Sequence, residues 1–455
     1  MTHAAPGTAA PDRMQGGGGF AVILSILNRI VIIVLQISAG IMTARILQPQ
    51  GRGELAAMGI WPLFLAQVTT LGIPSSLIYF IRKRGQGRTS LVIHGFIVSI
   101  LCGLLATGVS FALMPFWLRQ YSPAVVHGAQ LFLLTLPLCA FWLAGQAALE
   151  SMGLFTASNT VQLMVPGSTL AILLGLYFTH HFTAFNATFA YNIAVVPVVL
   201  LIIFFLWRHW NPKAEWRWDV NEVRLLLGYG MRSYGIDLLN AVAERVDTVL
   251  VISLLDPVSM GVYAVMISLS RTLNVFQTAV TMVLFPKAAG KSTEQILVLT
   301  ETSMRITVIV TALSAALVAS VGPAIVGWMY GPAYLTAVSA LRVLVVELTI
   351  SSAVNVLAQA FKAVGRPGVV TILQGIGLGL CIPMMLLLIP RWGVLGAAAS
   401  LLISTSARFV FIFFAFKFLL KTRLPRLTPT LDDLRMVRSV LHSRLRREPE
   451  VVEGF

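Results

Sequence analysis

The sequence predicts an all-α polytopic membrane protein with about 12 transmembrane helices in two six-helix lobes. Three observations support this prediction: the apolar composition, the repeated long apolar runs, and the unequal distribution of basic residues between the runs. Of the 455 residues, 57% are hydrophobic and 11% are charged, and the mean hydropathy is +0.84. Soluble domains contain about 25% charged residues, so this composition argues against a soluble fold.

Twelve apolar runs are long enough to cross the hydrocarbon core of a bilayer, which takes about 20 helical residues. The runs are residues 20–45, 54–81, 91–118, 128–150, 160–181, 187–207, 233–254, 258–285, 303–329, 334–362, 368–390 and 393–420. Many contain Gly, Pro, Ser and Thr. Transport helices tolerate these residues because neighbouring helices satisfy the interrupted backbone hydrogen bonds.

Lysine and arginine are distributed unequally between the connections, and this distribution predicts the orientation of the chain. With both termini in the cytoplasm, 24 basic residues lie in cytoplasmic segments, 4 lie in outer connections and 5 lie inside spans. Both termini are therefore predicted to be cytoplasmic. The net charge of +15 follows from this asymmetry and does not indicate a nucleic-acid partner.

The longest connection divides the chain into two lobes. Residues 208–232 are predicted to be a basic, Trp-rich cytoplasmic linker between an N-terminal lobe (20–207) and a C-terminal lobe (233–420). Residues 1–19 are expected to be a disordered cytoplasmic N-terminus. Residues 421–455 are a basic cytoplasmic tail, in which apolar residues at helical spacing fit either an amphipathic helix on the membrane surface or a solvated segment.

The two predicted lobes show weak internal similarity. Leu47, Pro49, Gly53 and Ala56 recur 208 residues later as Leu255, Pro257, Gly261 and Ala264. Ala148, Gly153 and Gln162 recur 212 residues later as Ala360, Gly365 and Gln374. Both matches fall at equivalent hairpins. Because six helices per lobe is an even number, the lobes should be related by a pseudo-two-fold axis along the membrane normal, with a cleft between them.

Nine charged residues lie inside the predicted spans at least four residues from either end. A charge in the middle of a membrane is unfavourable by about 2.5–3.5 kcal/mol, so it should face protein or water. The charged residues are Arg29, Arg245, Arg271, Arg342, Arg408, Asp237, Glu244, Asp247 and Glu347. Polar stripes at helical spacing accompany them on predicted helices 1, 7, 8, 10 and 12, and the stripe on helix 10 includes Asn355 and Gln359. Such stripes indicate a wet central cavity.

These residues have two interpretations. The arginines, with Asn355 and Gln359, are candidates for binding an anionic headgroup, because guanidinium binds phosphate bidentately. The four acids are candidates for holding a coupling cation or for neutralising arginines. On helices 7 and 8 the charges also fit structural ion pairs, such as Arg271 with Glu244 or with Asp237.

The chain contains no catalytic constellation, no nucleotide-binding loop and no metal-ligand spacing. The three cysteines all lie in apolar runs, where they fit small packing residues. We therefore expect neither an enzyme nor a bound cofactor or metal.

Several segments resemble one family in their order along the chain. TARILQPQGRGELAAM (43–58) is similar to the first outer hairpin of bacterial polysaccharide-transport flippases. LGIPSSLIYFIRKR (71–84) resembles the end of their helix 2, and ERVDTVLVISLLDPVSMGVYAV (244–265) resembles their helix 7–8 segment. Gln48 and Asp256 stand where the family usually has glycine.

The family belongs to the multidrug/oligosaccharidyl-lipid/polysaccharide exporter superfamily. The resemblance implies alternating access in the bacterial inner membrane and export of undecaprenyl-pyrophosphate-linked oligosaccharide for polysaccharide biosynthesis. It also implies coupling to H⁺ or Na⁺ and contact with membrane lipid and with a polysaccharide polymerase or export complex. A multidrug antiporter of the same fold and a non-transporting scaffold are the two alternatives.

Overall fold

A computed structural model describes residues 18–83, 88–209, 218–288, 292–420 and 425 of the chain. The described residues form helices joined by short connections, with no β-strand among them. This confirms the all-α fold class. Most of the expected disordered N-terminus, the middle of the predicted linker and the expected amphipathic helix of the tail lie outside the described residues.

The described part of the first half, residues 18–209, contains nine α-helices. They are α1 (Gly18–Gly59), α2 (Trp61–Thr69), α3 (Ile73–Lys83), α4 (Arg88–Trp117), α5 (Pro123–Phe132), α6 (Leu136–Ser151), α7 (Phe155–Phe178), α8 (Ala184–Ile193) and α9 (Val195–Arg208). The described part of the second half, residues 218–420, contains six. They are α10 (Val220–Leu254), α11 (Pro257–Thr272), α12 (Asn274–Ala288), α13 (Thr293–Met329), α14 (Val338–Ala363) and α15 (Gly368–Phe418). Two 3₁₀ helices, Leu133–Thr135 and Pro332–Ala337, lie before α6 and α14.

These helices account for the twelve predicted spans. The fourth, sixth and eighth spans are each divided into two consecutive helices, and the second span comprises the end of α1 followed by α2 and α3. The last two spans form one helical stretch, α15, which kinks at Gly393 (φ 55°, ψ −129°). In α1 the first span continues into the second through a kink at Gln48 (φ 56°, ψ 177°), because the residue before a proline is disfavoured in the helical conformation.

Eight helical segments in the described ranges are long and apolar enough to cross a membrane. Two of them, Leu27–Thr69 and Gly368–Phe418, contain more than one predicted span. The segment α10 is not among the eight, and it carries four charged residues within 237–247. The predicted eighth span, which carries Arg271, is also not among them. The polar character of spans seven and eight thus separates them from the other spans.

Successive spans run in opposite directions, so the bundle has two ends. We call the end with the α10–α11 turn, at Leu255 and Asp256, the hairpin end. The opposite end, at His209 and Asp219, is the linker end. The charge distribution predicts that the hairpin end faces outward. Asp256 caps α11 there, because its carboxylate accepts a hydrogen bond of 2.7 Å from the Ser259 amide.

The two halves meet at the hairpin end through a reciprocal contact of two glycines. A Cβ placed on Gly53 would lie 1.8 Å from the carbonyl oxygen of Pro257, and one on Gly261 would lie 1.8 Å from that of Pro49. All four residues belong to the internal sequence similarity. A contact in which each partner plays the other's role is what a two-fold relation produces. The backbones of α1 and α11 therefore touch without intervening side chains, which closes the hairpin end.

The halves also meet at the linker end, where the start of α10 packs on the first half. The Ser76 hydroxyl donates to the Leu226 carbonyl oxygen at 2.7 Å, and the Ser75 hydroxyl donates to Asp237 Oδ2 at 2.9 Å. A Cβ on Gly72, which has φ +72°, would lie 2.3 Å from the Gly230 carbonyl oxygen. Helix α10 therefore contacts the first half near its start and the rest of the second half near its end.

Gly53→Ala and Gly261→Ala should each destabilise the protein by about 1–3 kcal/mol, because a methyl group at either position meets backbone that must move. The double variant should be destabilised by less than the sum, since both substitutions break one contact. The measurement is the free energy of unfolding of the purified protein in detergent. Gly40→Ala is the matched control in the same helix, because its Cβ would have no neighbour within 4 Å. Equal effects at positions 40 and 53 would contradict the proposed contact.

Candidate functional site

The second half contains a partly buried ion pair. Arg271 Nη2 lies 2.7 Å from Asp247 Oδ2. The Tyr263 hydroxyl donates to the same carboxylate oxygen at 2.8 Å, and Arg271 Nη1 also contacts the Glu244 carbonyl oxygen at 3.4 Å. Asp247 is buried, whereas the Arg271 side chain is 37% exposed. The pair joins α10 to α11 across their hairpin.

The partner of Arg271 differs from the sequence-based expectation of Glu244 or Asp237. The reason is the direction of side chains on a helix, which lean toward the helix N-terminus. In α11 this direction points back to the hairpin end, and in α10 it points away from that end. Arg271 and Asp247 therefore lean toward each other, although simple counting of residues from the turn places them at different depths.

Glu347 and Arg408 lie near this pair on α14 and α15. Glu347 is half-buried, and its Oε1 accepts a hydrogen bond of 2.6 Å from the Thr405 hydroxyl. The charges of Arg271, Arg408 and Asp247 all act on its carboxylate. Arg408 packs against Gly377, and its Nη2 lies 3.5 Å from Asn355 Oδ1. Its buried Nε has no hydrogen-bond partner among the described residues.

The remaining predicted charges do not join this group. Arg29 and Arg342 are exposed on α1 and α14. Arg245 is partly exposed, and its nearest acid is the adjacent Glu244, at 3.9 Å. Asp237 contacts the first half through Ser75, as described above. The structure therefore gathers only Asp247, Arg271, Glu347 and Arg408 of the nine predicted charges.

A cavity of about 360 Å³ lies beside Arg408, toward the linker end, between α10, α12, α14 and α15. Five carboxamide side chains line it, namely Asn240, Gln277, Asn355, Gln359 and Gln374. Thr281 and Thr371 contribute hydroxyl groups. Among the described residues that line the cavity, Lys362 is the one with a charged side chain. Asn355 connects the cavity to Arg408.

The sequence analysis placed Asn355 and Gln359 in a binding site, and both line this cavity. It did not assign Gln277, Thr371, Gln374 or Lys362 to a site. Thr371 and Gln374 are three residues apart, and Gln277 and Thr281 are four apart, so each pair shares a helix face. These spacings were the available signal, but they do not reveal that four helices converge.

Arg271→Leu should destabilise the protein by about 3 kcal/mol, because it leaves a buried carboxylate without its cation. Asp247→Asn should have a smaller effect, since the remaining guanidinium is partly exposed and Tyr263 keeps an acceptor. The measurement is again the free energy of unfolding. Arg245→Leu is the control and should change it by less than about 1 kcal/mol, as expected for an exposed pair. Equal effects of the two arginine substitutions would show that the Asp247 contact is not a stabilising pair.

Solved structures with the same fold include three transporters. The lipid II flippase MurJ in an inward closed conformation matches with a TM-score of 0.76 and 14% identity, covering 95% of this chain and 94% of that one. An inward-facing multidrug resistance MATE family transporter matches with a TM-score of 0.70 and 16% identity, covering 86% and 96%. A transporter from Pyrococcus furiosus matches with a TM-score of 0.61 and 16% identity, covering 88% and 95%.

At these identities the likeness establishes the fold, which is that of multi-pass membrane transporters of the MOP superfamily, named in two of these descriptions. A family model described as polysaccharide biosynthesis protein matches residues 42–339, well over half of the chain. The chain belongs to this polysaccharide biosynthesis protein family. The match includes the segments 43–58 and 244–265, which carried the resemblance, and confirms it. No curated protein sequence gives a significant match.

Proposed function

We propose that the protein is a flippase that moves an undecaprenyl-pyrophosphate-linked oligosaccharide from the cytoplasmic to the outer leaflet of the bacterial inner membrane. The observation that carries this proposal is the polar cavity of the second half, which Asn355 connects to Arg408, in a member of a polysaccharide biosynthesis family. Its carboxamides and hydroxyls suit a sugar-bearing substrate. The prenyl chain would stay in lipid while the headgroup crosses between the halves.

The inter-half contacts support alternating access as the mechanism. The hairpin end is closed by the backbone contact of Gly53 with Pro257, and the cavity extends to Lys362 and Pro367 at the linker end. With cytoplasmic termini, this arrangement presents the cavity to the side on which the substrate is made. Separation of α1 from α11, together with tighter packing of α10 on the first half, would reverse the access. Contact with a polysaccharide polymerase or export complex on the outer side is part of the same proposal.

Purified protein in liposomes should move a fluorescent undecaprenyl-pyrophosphate-linked glycan between leaflets. Arg408→Gln should slow this movement by about tenfold, the usual effect of losing one hydrogen bond to a charged group. Arg29→Ala should also slow it, whereas Arg119→Ala, in the α4–α5 connection, is the control and should not. The measurement is the rate at which an added reagent quenches the transferred glycan.

Two experimental outcomes would contradict the flippase proposal, and each would support one of the alternative functions. A multidrug antiporter would export cationic dyes from the same liposomes and leave the glycan in place. A scaffold of a polysaccharide synthesis complex would show no movement of glycan, and cells with Arg29→Ala or Arg408→Ala would keep normal glycan export.

We further propose that Glu347 couples movement of the glycan to H⁺ or Na⁺. Of the four predicted acids, Asp247 is held by Arg271, Asp237 contacts the first half, and Glu244 is exposed. Glu347 is half-buried, and its direct partner is the Thr405 hydroxyl. Its carboxylate can therefore take up a cation without first breaking an arginine pair.

Glu347→Gln should remove the acceleration of glycan movement by an imposed pH or Na⁺ gradient, because a carboxamide cannot change its charge. The rate without a gradient should persist. Initial rates with and without each gradient measure this effect. Glu294→Gln, in the exposed first turn of α13, is the control and should keep the wild-type response. A Glu347→Gln protein that still responds to the gradient would assign coupling to another group.

A further inference from the structure

The cavity of the second half has a lining that is unusual for the interior of an apolar bundle. Its five carboxamides come from four helices, α10, α12, α14 and α15. A carboxamide offers two N–H donors and an oxygen acceptor, and it carries no charge. Five such groups around one space of about 360 Å³ form a surface that is rich in donors and acceptors and nearly neutral. This volume falls within the range of about 300–1,000 Å³ that is typical of small-ligand pockets.

The donors and acceptors of these carboxamides are not all paired with one another. Asn355 Nδ2 lies 3.3 Å from Gln277 Oε1, and Gln359 Nε2 lies 3.4 Å from the Asn355 carbonyl oxygen. Both distances are longer than a typical N–H···O bond of about 2.9–3.0 Å. Within the described part of the chain, the side chains of Asn240 and Gln374 make no hydrogen bond, although both border the cavity. Several donors and acceptors are therefore available to a ligand.

The lining disfavours two other kinds of occupant. An organic cation is usually bound by aromatic faces or carboxylates, and the described lining residues include neither. A pyrophosphate group calls for several cationic donors, whereas Lys362 is the only cation among the described lining residues and Arg408 reaches the cavity through Asn355. A ligand with many uncharged hydroxyl groups matches the lining best.

The corresponding positions of the first half have different side chains from those that line the cavity. At the spacing of 212 residues that relates Gln162 to Gln374, Ala147 corresponds to Gln359 and Glu150 corresponds to Lys362. In the first half, Glu150 Oε1 accepts hydrogen bonds from Gln146 at 3.1 Å and from Ser158 at 3.0 Å. The polar groups there are thus engaged with one another, whereas those of the second half surround an open space.

We propose that this cavity is a carbohydrate subsite that binds uncharged sugar units of the glycan through Asn355, Gln359 and Gln374, separately from the pyrophosphate. The assignment rests on the proposed function for the lipid carrier, and it deepens that function by naming which part of the substrate binds in the second half. A pair of neighbouring sugar hydroxyls can donate to a carboxamide oxygen and accept from its NH₂ group at once.

The test is equilibrium binding of three probes to the purified full-length protein in lipid nanodiscs. The first probe is the undecaprenyl-pyrophosphate-linked glycan extracted from the cells that produce the protein. The second is undecaprenyl pyrophosphate without sugar, and the third is the glycan released from the lipid by mild acid. The variants are Asn355→Leu/Gln374→Leu and the single Gln374→Leu, with Gln162→Leu as the matched control in the first half.

The double variant should bind the lipid-linked glycan and the released glycan about tenfold more weakly, because two hydrogen-bonding groups are lost. Its affinity for undecaprenyl pyrophosphate should not change, and Gln162→Leu should bind all three probes as the wild type does. The single variant should show a smaller loss with the same pattern, so the test remains valid if the double variant does not fold. An unchanged affinity for the released glycan, or an equal loss for all three probes, would overturn the subsite.

The binding experiment and the liposome assay together distinguish the carbohydrate subsite from the proposed flippase activity. A wild-type protein that binds the released glycan through Asn355 and Gln374, but moves no glycan across liposomes, would retain the subsite and refute the flippase. A protein that moves the glycan while the double variant binds every probe normally would retain the flippase and refute the subsite. A wild-type protein that binds none of the sugar-bearing probes would also refute the subsite.

Discussion

The close approach of α1 and α11 at Gly53 and Gly261 is the constraint on which the arrangement of the two halves depends. Each glycine leaves room for the backbone of the opposite helix, and any side chain there would collide with a carbonyl oxygen. The two positions are related by the internal similarity, so one contact both joins the halves and closes the hairpin end. A contact without interlocking side chains can also separate without repacking a core, which suits the proposed alternating access.

Helix α10 connects the contact between the halves to the charged side chains inside the second half. From its start to its middle it packs on the first half, where Leu226 and Asp237 accept from Ser76 and Ser75, and toward its end it holds Asp247 against Arg271. The same helix therefore combines an inter-half contact with the buried charge of the second half. Movement of α10 relative to the first half would change the surroundings of both, and this connects opening of the linker end to the cluster that includes Glu347.

The polar side chains of the interior form two groups, one charged and one uncharged. Charged groups, Asp247, Arg271, Glu347 and Arg408, lie together in the middle of the second half, and uncharged carboxamides line the cavity beside them. Because an unpaired charge is unfavourable in an apolar bundle, Asp247 and Arg271 form an ion pair and Glu347 accepts from the Thr405 hydroxyl. Arg408 lies near the Asn355 carboxamide. Carboxamides can remain available to a ligand at a smaller free-energy penalty. This division matches a substrate that has an anionic group and a larger uncharged saccharide.

The sequence by itself determined the membrane class, the twelve spans and the relation between the halves, because apolar length and repeated hairpins are local properties of the chain. It also placed Asp247, Arg271, Glu347 and Arg408 among nine charges inside the spans, since charge in an apolar span is visible without a structure. The tertiary structure alone decided which charges meet. Arg271 pairs with Asp247 because side chains on antiparallel helices lean toward each other, and Arg29 remains apart. The cavity depended on the tertiary structure for the same reason: Gln277 and Gln374 are distant in sequence, and only the packing of α10, α12, α14 and α15 places them around one space.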